Sequence, residues 1–487
     1  MPTPANHKPN IIFILIDDLG WRDLTCYGST FYETPNLDRL AKEGMLFTNA
    51  YSSCPVCSPT RASIMSGKYP ARLGFTNIET KDEGKLAQVP FIHYLPLTEK
   101  SIASALREQG YQTWHVGKWH LGDEPFHPQH HGFDVNIAGC EWGFQKTGYF
   151  GPLNMPYLKN GPPDEYLTDR LTNEAIALIK NRRGGDKQKP FFLNLCHYGV
   201  HEPLEAPEHL IEKYRQKAKA LNLDQTSPFV TGDYYPLLRK QDQRFVRRIF
   251  QSDPVYAAMI ENLDTNIGRL LQTLDDEGLR NNTLIAFTSD NGGLATTETP
   301  KRNQTSAPTC NLPLSLGKGY SHEGGTRVCQ IIRWPDVIAP NSHCNVSTTS
   351  TDFYPTFLEA SGTPLNPTQH CDGTSLMPLL RGQNHLDREA IFFHFPHYAP
   401  TGGTPASWLI AGDWKLIEQF ETNTIELFNL RNDISETRNL ATTEPELTQQ
   451  LLAKLHAWQR DVSAKTPQPN HNYEKMLKPR IPNNAHE

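Results

Sequence analysis

The chain has 487 residues and a mass of 55.1 kDa, with 37% apolar, 10% aromatic and 21% charged residues. That composition supplies a sizeable core, excludes a disordered or fibrous chain, and points to a large domain with a smaller companion. Lys and Arg number 47 against 53 Asp and Glu, for a net charge of −6 and a pI near 6.3; without a block of like charge this excludes a dedicated nucleic-acid binder.

The opening MPTPANHKPN has no apolar stretch of the kind a secretory signal needs. The expectation is a cytosolic chain, or one whose export signal was removed and replaced by Met1. The apolar run Ile11–Ile16 is six residues, too short to span a membrane. Nine cysteines (26, 54, 57, 140, 196, 310, 329, 344 and 371) are odd in number and scattered. At least one is therefore outside any intramolecular pair, and a disulfide scaffold is not indicated.

Asn10–Ile16 (NIIFILI) reads as a strand buried on both faces, followed by Asp17 and Asp18. Thr34–Gly44 reads as a helix, with Thr34 as cap, Pro35 in the first turn and Gly44 as stop. Ser101–Gln109 is a short helix before the strand-like YQTWHV. A helix around Leu171–Lys180 precedes the strand Phe191–Cys196. A long helix, Asp253–Leu274, carries Ile260, Leu263, Ile267, Leu270, Leu271 and Leu274 on one side. The strand Thr283–Thr288 follows, ending in Ser289, Asp290 and Asn291. This alternation predicts an α/β fold: a large, mostly parallel sheet sandwiched by helices.

The texture changes after about Leu380. Ile391–Phe395, Ser407–Ile410, Trp414–Gln419 and Ile425–Asn429 read as strands of a small antiparallel sheet, with Glu444–Asp461 as a helix packed on it. The expected division is a catalytic domain over residues 1–380 and an α+β subdomain over 381–487, ending in a tail.

Open α/β sheets bind ligands beyond the carboxyl ends of their strands. Asp17, Asp18, Asp290 and Asn291 all fall there, an all-oxygen set suited to a hard cation, Ca²⁺ or Mg²⁺. The competing reading is that each pair merely serves turns and caps.

Tyr51–Gly67 reads YSSCPVCSPTRASIMSG, with a helix expected to begin near Pro59–Thr60. Cys57 would then precede a helix N-terminus, where an anion is welcome and a thiol pKa is lowered. Arg61 adds a fixed positive fork one turn on. Cys54 and Cys57 also form a CxxC pair, but no second pair or His pair lies at zinc spacing.

Cys57-Ser58-Pro59-Thr60-Arg61 matches the C-x-P-x-R motif of sulfatases, and SIMSGKYP is similar to its second half. NIIFILIDD, GKWH, a His-x-Pro segment, SDNGG and KGxxxEGGxRV follow the family's order over Asn10–Val328. The chain thus resembles formylglycine-dependent sulfatases of the alkaline-phosphatase-like superfamily, most of all bacterial polysaccharide sulfatases.

The resemblance implies that a separate maturation enzyme oxidises Cys57 to formylglycine. Residue 57 would then join Asp17, Asp18, Asp290 and Asn291 around Ca²⁺, with Mg²⁺ the second choice. It implies that Lys118 neutralises the sulfate, that His120 contacts the nucleophile or the sulfate, that His201 binds sulfate and that Lys318 lies close to the leaving group. His201 or Lys318 would protonate the departing alcohol, and His120 would be the base of the reset. Val200 stands where the family usually has Pro. One hydroxyl of the hydrated aldehyde attacks sulfur, and the other lets the residue reset to aldehyde and expel sulfate.

The implied substrate is a sulfated carbohydrate, a galactan or glycosaminoglycan fragment, in the periplasm or outside the cell. The alternatives are a broad arylsulfatase, or a phosphatase or phosphonate monoester hydrolase of the same superfamily. Candidate substrate contacts are Cys140–Gly143 with Tyr149 and Phe150, Trp142 above all, and His394 or His397. His197 reads as structural and His322 as part of a solvated loop.

Overall fold

The computed structural model describes residues 8–78, 83–182, 189–297 and 307–477. The readings of the first seven residues and of the tail past 477 fall outside the described residues. In chain order the strands are β1 (Asn10–Ile16), β2 (Met45–Tyr51), β3 (Gln112–Gly117), β4 (Val135–Ile137), β5 (Phe191–His197), β6 (Phe229–Tyr234), β7 (Arg244–Arg248) and β8 (Thr283–Ser289). They continue with β9 (Arg327–Arg333), β10 (Ser342–Cys344), β11 (Thr348–Thr349), β12 (Ile391–Phe395), β13 (Ala406–Ala411), β14 (Trp414–Gln419) and β15 (Thr424–Asn429).

The main sheet has the order β10-β2-β9-β8-β1-β5-β3-β4, with β11 also on β2. Only β9 runs antiparallel to its neighbours, β2 and β8; every other pairing is parallel. β1 lies in the middle, and its residues alternate between two cores. Ile12, Ile14 and Ile16 pack under the helices Leu167–Lys180, Glu208–Ala220 and Pro254–Asp276. Ile11, Phe13 and Leu15 pack under Cys57–Ser66, Ile102–Glu108 and Phe353–Ser361. A strand apolar on both faces is what such a double-sided layer requires.

The helix Pro35–Lys42 is not capped by Thr34, whose hydroxyl instead accepts the Thr25 backbone N–H. Its first free N–H groups, from Asn36 and Leu37, donate to Asp264 at 3.1 and 2.8 Å. The cap is thus supplied by the long helix across the layer.

β12 to β15 form a separate antiparallel sheet in sequence order. One face, with Phe393, Phe395, Trp408 and Ile417, packs on Tyr51, Cys54 and Val56. The other, with Leu409, Leu416 and Leu427, packs on Leu451, Leu455 and Trp458 of the helix Pro445–Asp461. This sheet therefore buttresses the segment that delivers residue 57. Among the described residues, no helix is long and apolar enough to cross a membrane.

Candidate active site

Three strand ends meet at the carboxyl edge of the main sheet. Asp17 and Asp18 follow β1, Asp290 and Asn291 follow β8, and Lys118 follows β3. Parallel pairing of β1 with β8 aligns Ile16 with Ser289, so the two acidic pairs emerge side by side. The Asp290 N–H donates to Ile16 O at 3.1 Å, and the Asp18 N–H to Asp290 Oδ1 at 3.3 Å. Asp18 sits at φ 60°, a left-handed conformation that side chains rarely adopt and that proteins retain mainly at functional sites.

Three cations close the ring. Lys118 Nζ lies 2.6 Å from Asp17 Oδ2, Lys318 Nζ 2.9 Å from Asp18 Oδ2, and Arg61 Nη2 2.8 Å from Asp290 Oδ2. All six side chains are buried. Burial raises the Asp17 carboxyl well above its ordinary range, helped by Asp290 and Asp18 and opposed by Lys118. Burial also works against ionised Asp18, yet Lys318 and His201 hold its carboxyl below the usual carboxylate range.

Asp17 Oδ1 and Asn291 Oδ1 are buried and receive no hydrogen bond among the described residues. Buried oxygens without donors are costly, and a bound cation satisfies them. Asp17, Cys57 and Asp290 each offer a ligand atom within 4.8 Å of the others, as do Asp17, Asp18 and His201. The donor set is rich in hard oxygens, and it fits Ca²⁺ or Mg²⁺.

Cys57 is the first residue of its helix, which begins two residues before the expected start. Its thiol is buried, and burial pushes its pKa up, with Asp17 and Asp290 adding and Lys118 opposing. The expected lowering by the helix end is overridden, so an unmodified Cys57 is a protonated, poor nucleophile. Its Sγ is 3.5 Å from His120 Nδ1, where it stands in for the oxygens that an aldehyde hydrate would present. His120, also at φ 60°, is held by its N–H to Cys140 O and by Ser58 Oγ donating to its carbonyl. Enclosure, with Lys118 and Arg61, pushes its pKa well down and keeps the imidazole neutral.

His201 reaches the centre from the loop after β5. That loop is tied to β1 by the Val200 N–H to Asp17 O at 2.8 Å and the Asp17 N–H to Gly199 O at 3.2 Å. Val200, in place of Pro, thus contributes an N–H that Pro lacks. His201 Nδ1 faces Glu202 O at 2.7 Å and must donate, which leaves Nε2 facing Lys318 Nζ at 3.2 Å and Asp18 Oδ2 at 3.6 Å.

Two supports were not legible beforehand. Tyr149 Oη donates toward Tyr198 O and His201 O, both at 2.8 Å, pinning the His201 loop. Gly143 lies against His120, and a Cβ built on it would stand 2.5 Å from His120 Cε1.

Several expected substrate contacts are not available. His394 is buried against Ser407 and Lys465 O, and His397 against Thr76. Tyr149 is wholly buried. Trp142 is partly packed on the core, with Lys146 Nζ 4.9 Å from its ring centroid. His322 is half-buried rather than solvated, and burial with Lys415 pushes its pKa down to about 4. His197 is buried, as a structural residue would be.

A mostly parallel sheet with this charged pocket at its carboxyl edge defines an alkaline-phosphatase-like hydrolase. The sulfatase family profile matches residues 9–363, and that of the N-sulphoglucosamine sulphohydrolase C-terminal region matches residues 316–463. The chain belongs to the sulfatase family and is a sulfuric ester hydrolase. A sulfatase of Formosa agariphila is 33% identical, over 93% of this chain and 89% of its own length. The N-acetylgalactosamine-6-sulfatase of Rattus norvegicus is 31% identical, over 80% of this chain and 69% of its own. The crystal structure of Ps i-CgsB in complex with k-i-k-neocarrahexaose matches with a TM-score of 0.73 at 27% identity, covering 96% of each chain.

Proposed function

We propose that the chain releases inorganic sulfate from a sulfated carbohydrate, a galactan or glycosaminoglycan fragment, through residue 57 after a maturation enzyme has oxidised it to formylglycine. The observation that carries this reading is the pair of orphaned oxygens, Asp17 Oδ1 and Asn291 Oδ1, beside the Cys57 thiol. Asp17, Asp18, Asp290 and Asn291, with the modified residue 57, would hold Ca²⁺ in preference to Mg²⁺, because several carboxylates in an irregular cage suit the larger ion. The ion and the aldehyde hydrate together supply a polarised sulfate and a hydroxyl nucleophile.

The chain's own residues do the rest. Arg61 and Lys118 set positive charge beneath the sulfate oxygens. His201 and Lys318, 3.2 Å apart, are placed to give a proton to the departing alcohol oxygen. Neutral His120, beside residue 57, can take a proton from it. Relatives named for N-acetylgalactosamine-6-sulfate and a neighbour bound to a carrageenan oligosaccharide support a saccharide ester. Such polymers do not cross membranes, which favours action in the periplasm or outside the cell.

Chelation tests the metal assignment. Stripping the mature enzyme with a chelator should lower sulfate release from N-acetylgalactosamine 6-sulfate by roughly 100-fold or more. Ca²⁺ should restore it better than Mg²⁺. Full turnover after verified removal of metal would refute the assignment.

A further inference from the structure

Exposure in the charged centre rises from its acidic floor to its histidines. Asp17, Lys118 and Asp290 are fully buried, whereas the His201 side chain is 13% exposed and His120 is half-buried. One segment, Glu141–Lys146, runs beside both histidines. Its Gly143 lies against the His120 ring. Its Phe144 ring runs nearly parallel to His201, at 10°, with centroids 6.3 Å apart. Phe144 is 44% exposed. What sets Phe144 apart from other exposed rings is its place beside His201 at the edge of a buried ionic pocket, where a flat apolar ring can face a bound ligand.

The neighbouring Trp142 does not offer this: it is partly packed on the core, and Lys146 lies over its ring. His201 and Lys318 mark the side from which the alcohol departs, so a group standing on His201 meets the alcohol rather than the sulfate. We infer that Phe144 is the platform for the ring of the leaving alcohol, the apolar face of a pyranose lying on it while its ester oxygen reaches His201. This rests on the sulfate-ester reading above. It makes Phe144 a specificity-determining residue that favours ring-bearing alcohols.

The test uses the matured full chain, with 4-methylumbelliferyl sulfate or N-acetylgalactosamine 6-sulfate as substrate, whichever the wild type turns over faster. Inorganic sulfate, as a competitive inhibitor, reports the inner centre alone. Phe144→Ala should raise KM about tenfold, in line with the loss of one stacking contact, and leave the Ki of sulfate within about twofold. Phe144→Tyr, which keeps the ring, should restore KM. An unchanged KM in Phe144→Ala, or a Ki that rises in parallel with KM, would overturn the inference alone. Absence of sulfate release by the wild-type chain would overturn the hydrolase reading, and this inference with it.

Discussion

At the scale of single residues, the centre depends on side chains held in positions they would not choose. Asp18 and His120 both carry positive φ, and the His120 ring fills space that a Cβ on residue 143 would take. Gly143→Ala should therefore displace the His120 ring, since the added carbon would fall 2.5 Å from Cε1. Displacements of this size cost reactions roughly 10–100-fold. The expected outcome is a fall of that order in kcat with an unchanged melting temperature; a fully active variant would show that His120 is not needed in this position. The buried acidic pairs and Lys118 were legible in the sequence because each lies just past a strand, at Asp17–Asp18, Lys118 and Asp290–Asn291. Gly143 and Tyr149 were not, because one acts through a missing atom and the other through backbone carbonyls far along the chain.

At the scale of elements, helices are held by partners that local sequence does not reveal. The cap on Pro35–Lys42 comes from Asp264, on a helix more than 200 residues away in sequence. Burial raises the Asp264 pKa to about 6, although the Leu37 and Asn36 N–H groups oppose this. A carboxyl raised in the folded state gives stability that is full below its unfolded pKa of about 3.9 and is lost as pH climbs through about 6. Melting temperatures of wild type and Asp264→Asn, measured from pH 4 to 7, should diverge: the wild type should lose stability over this window and the variant should lack that component. Parallel curves would contradict the assignment.

The central strand β1, β5, β8 and the long helix were readable because their apolar patterns are continuous. β9 was missed because its sequence, RVCQIIR, places Arg at both ends and Gln inside, and only its neighbours explain why those groups are buried. The helix Glu208–Ala220 was missed because it buries only Ile211, Tyr214 and Ala218, too few to stand out in a charged segment.

At the scale of the whole molecule, the C-terminal sheet does more than cover one side. Lys415 of β14 lies between Glu323 and Glu436 at 2.9 and 2.8 Å, all three buried. The Glu323 N–H donates to Glu436 at 2.7 Å. Glu323 belongs to the same run as Lys318, so this cluster anchors the segment that carries the Lys318 ammonium to Asp18. Removing the central charge leaves two buried carboxylates facing each other, which costs about 3–5 kcal/mol. Lys415→Met should lower stability by that amount in urea unfolding and reduce kcat in the protein that remains folded. A variant as stable as wild type would show that the cluster is dispensable.

In the proposed function, sulfate-ester cleavage requires residue 57 in its oxidised form. The most direct measurement compares the aldehyde fraction of the Cys57 peptide, by mass spectrometry, with sulfate release in the same preparations, made with and without a maturation enzyme. Turnover should scale with that fraction and vanish when Cys57 is entirely thiol. Full turnover from a preparation carrying only the thiol would contradict the account.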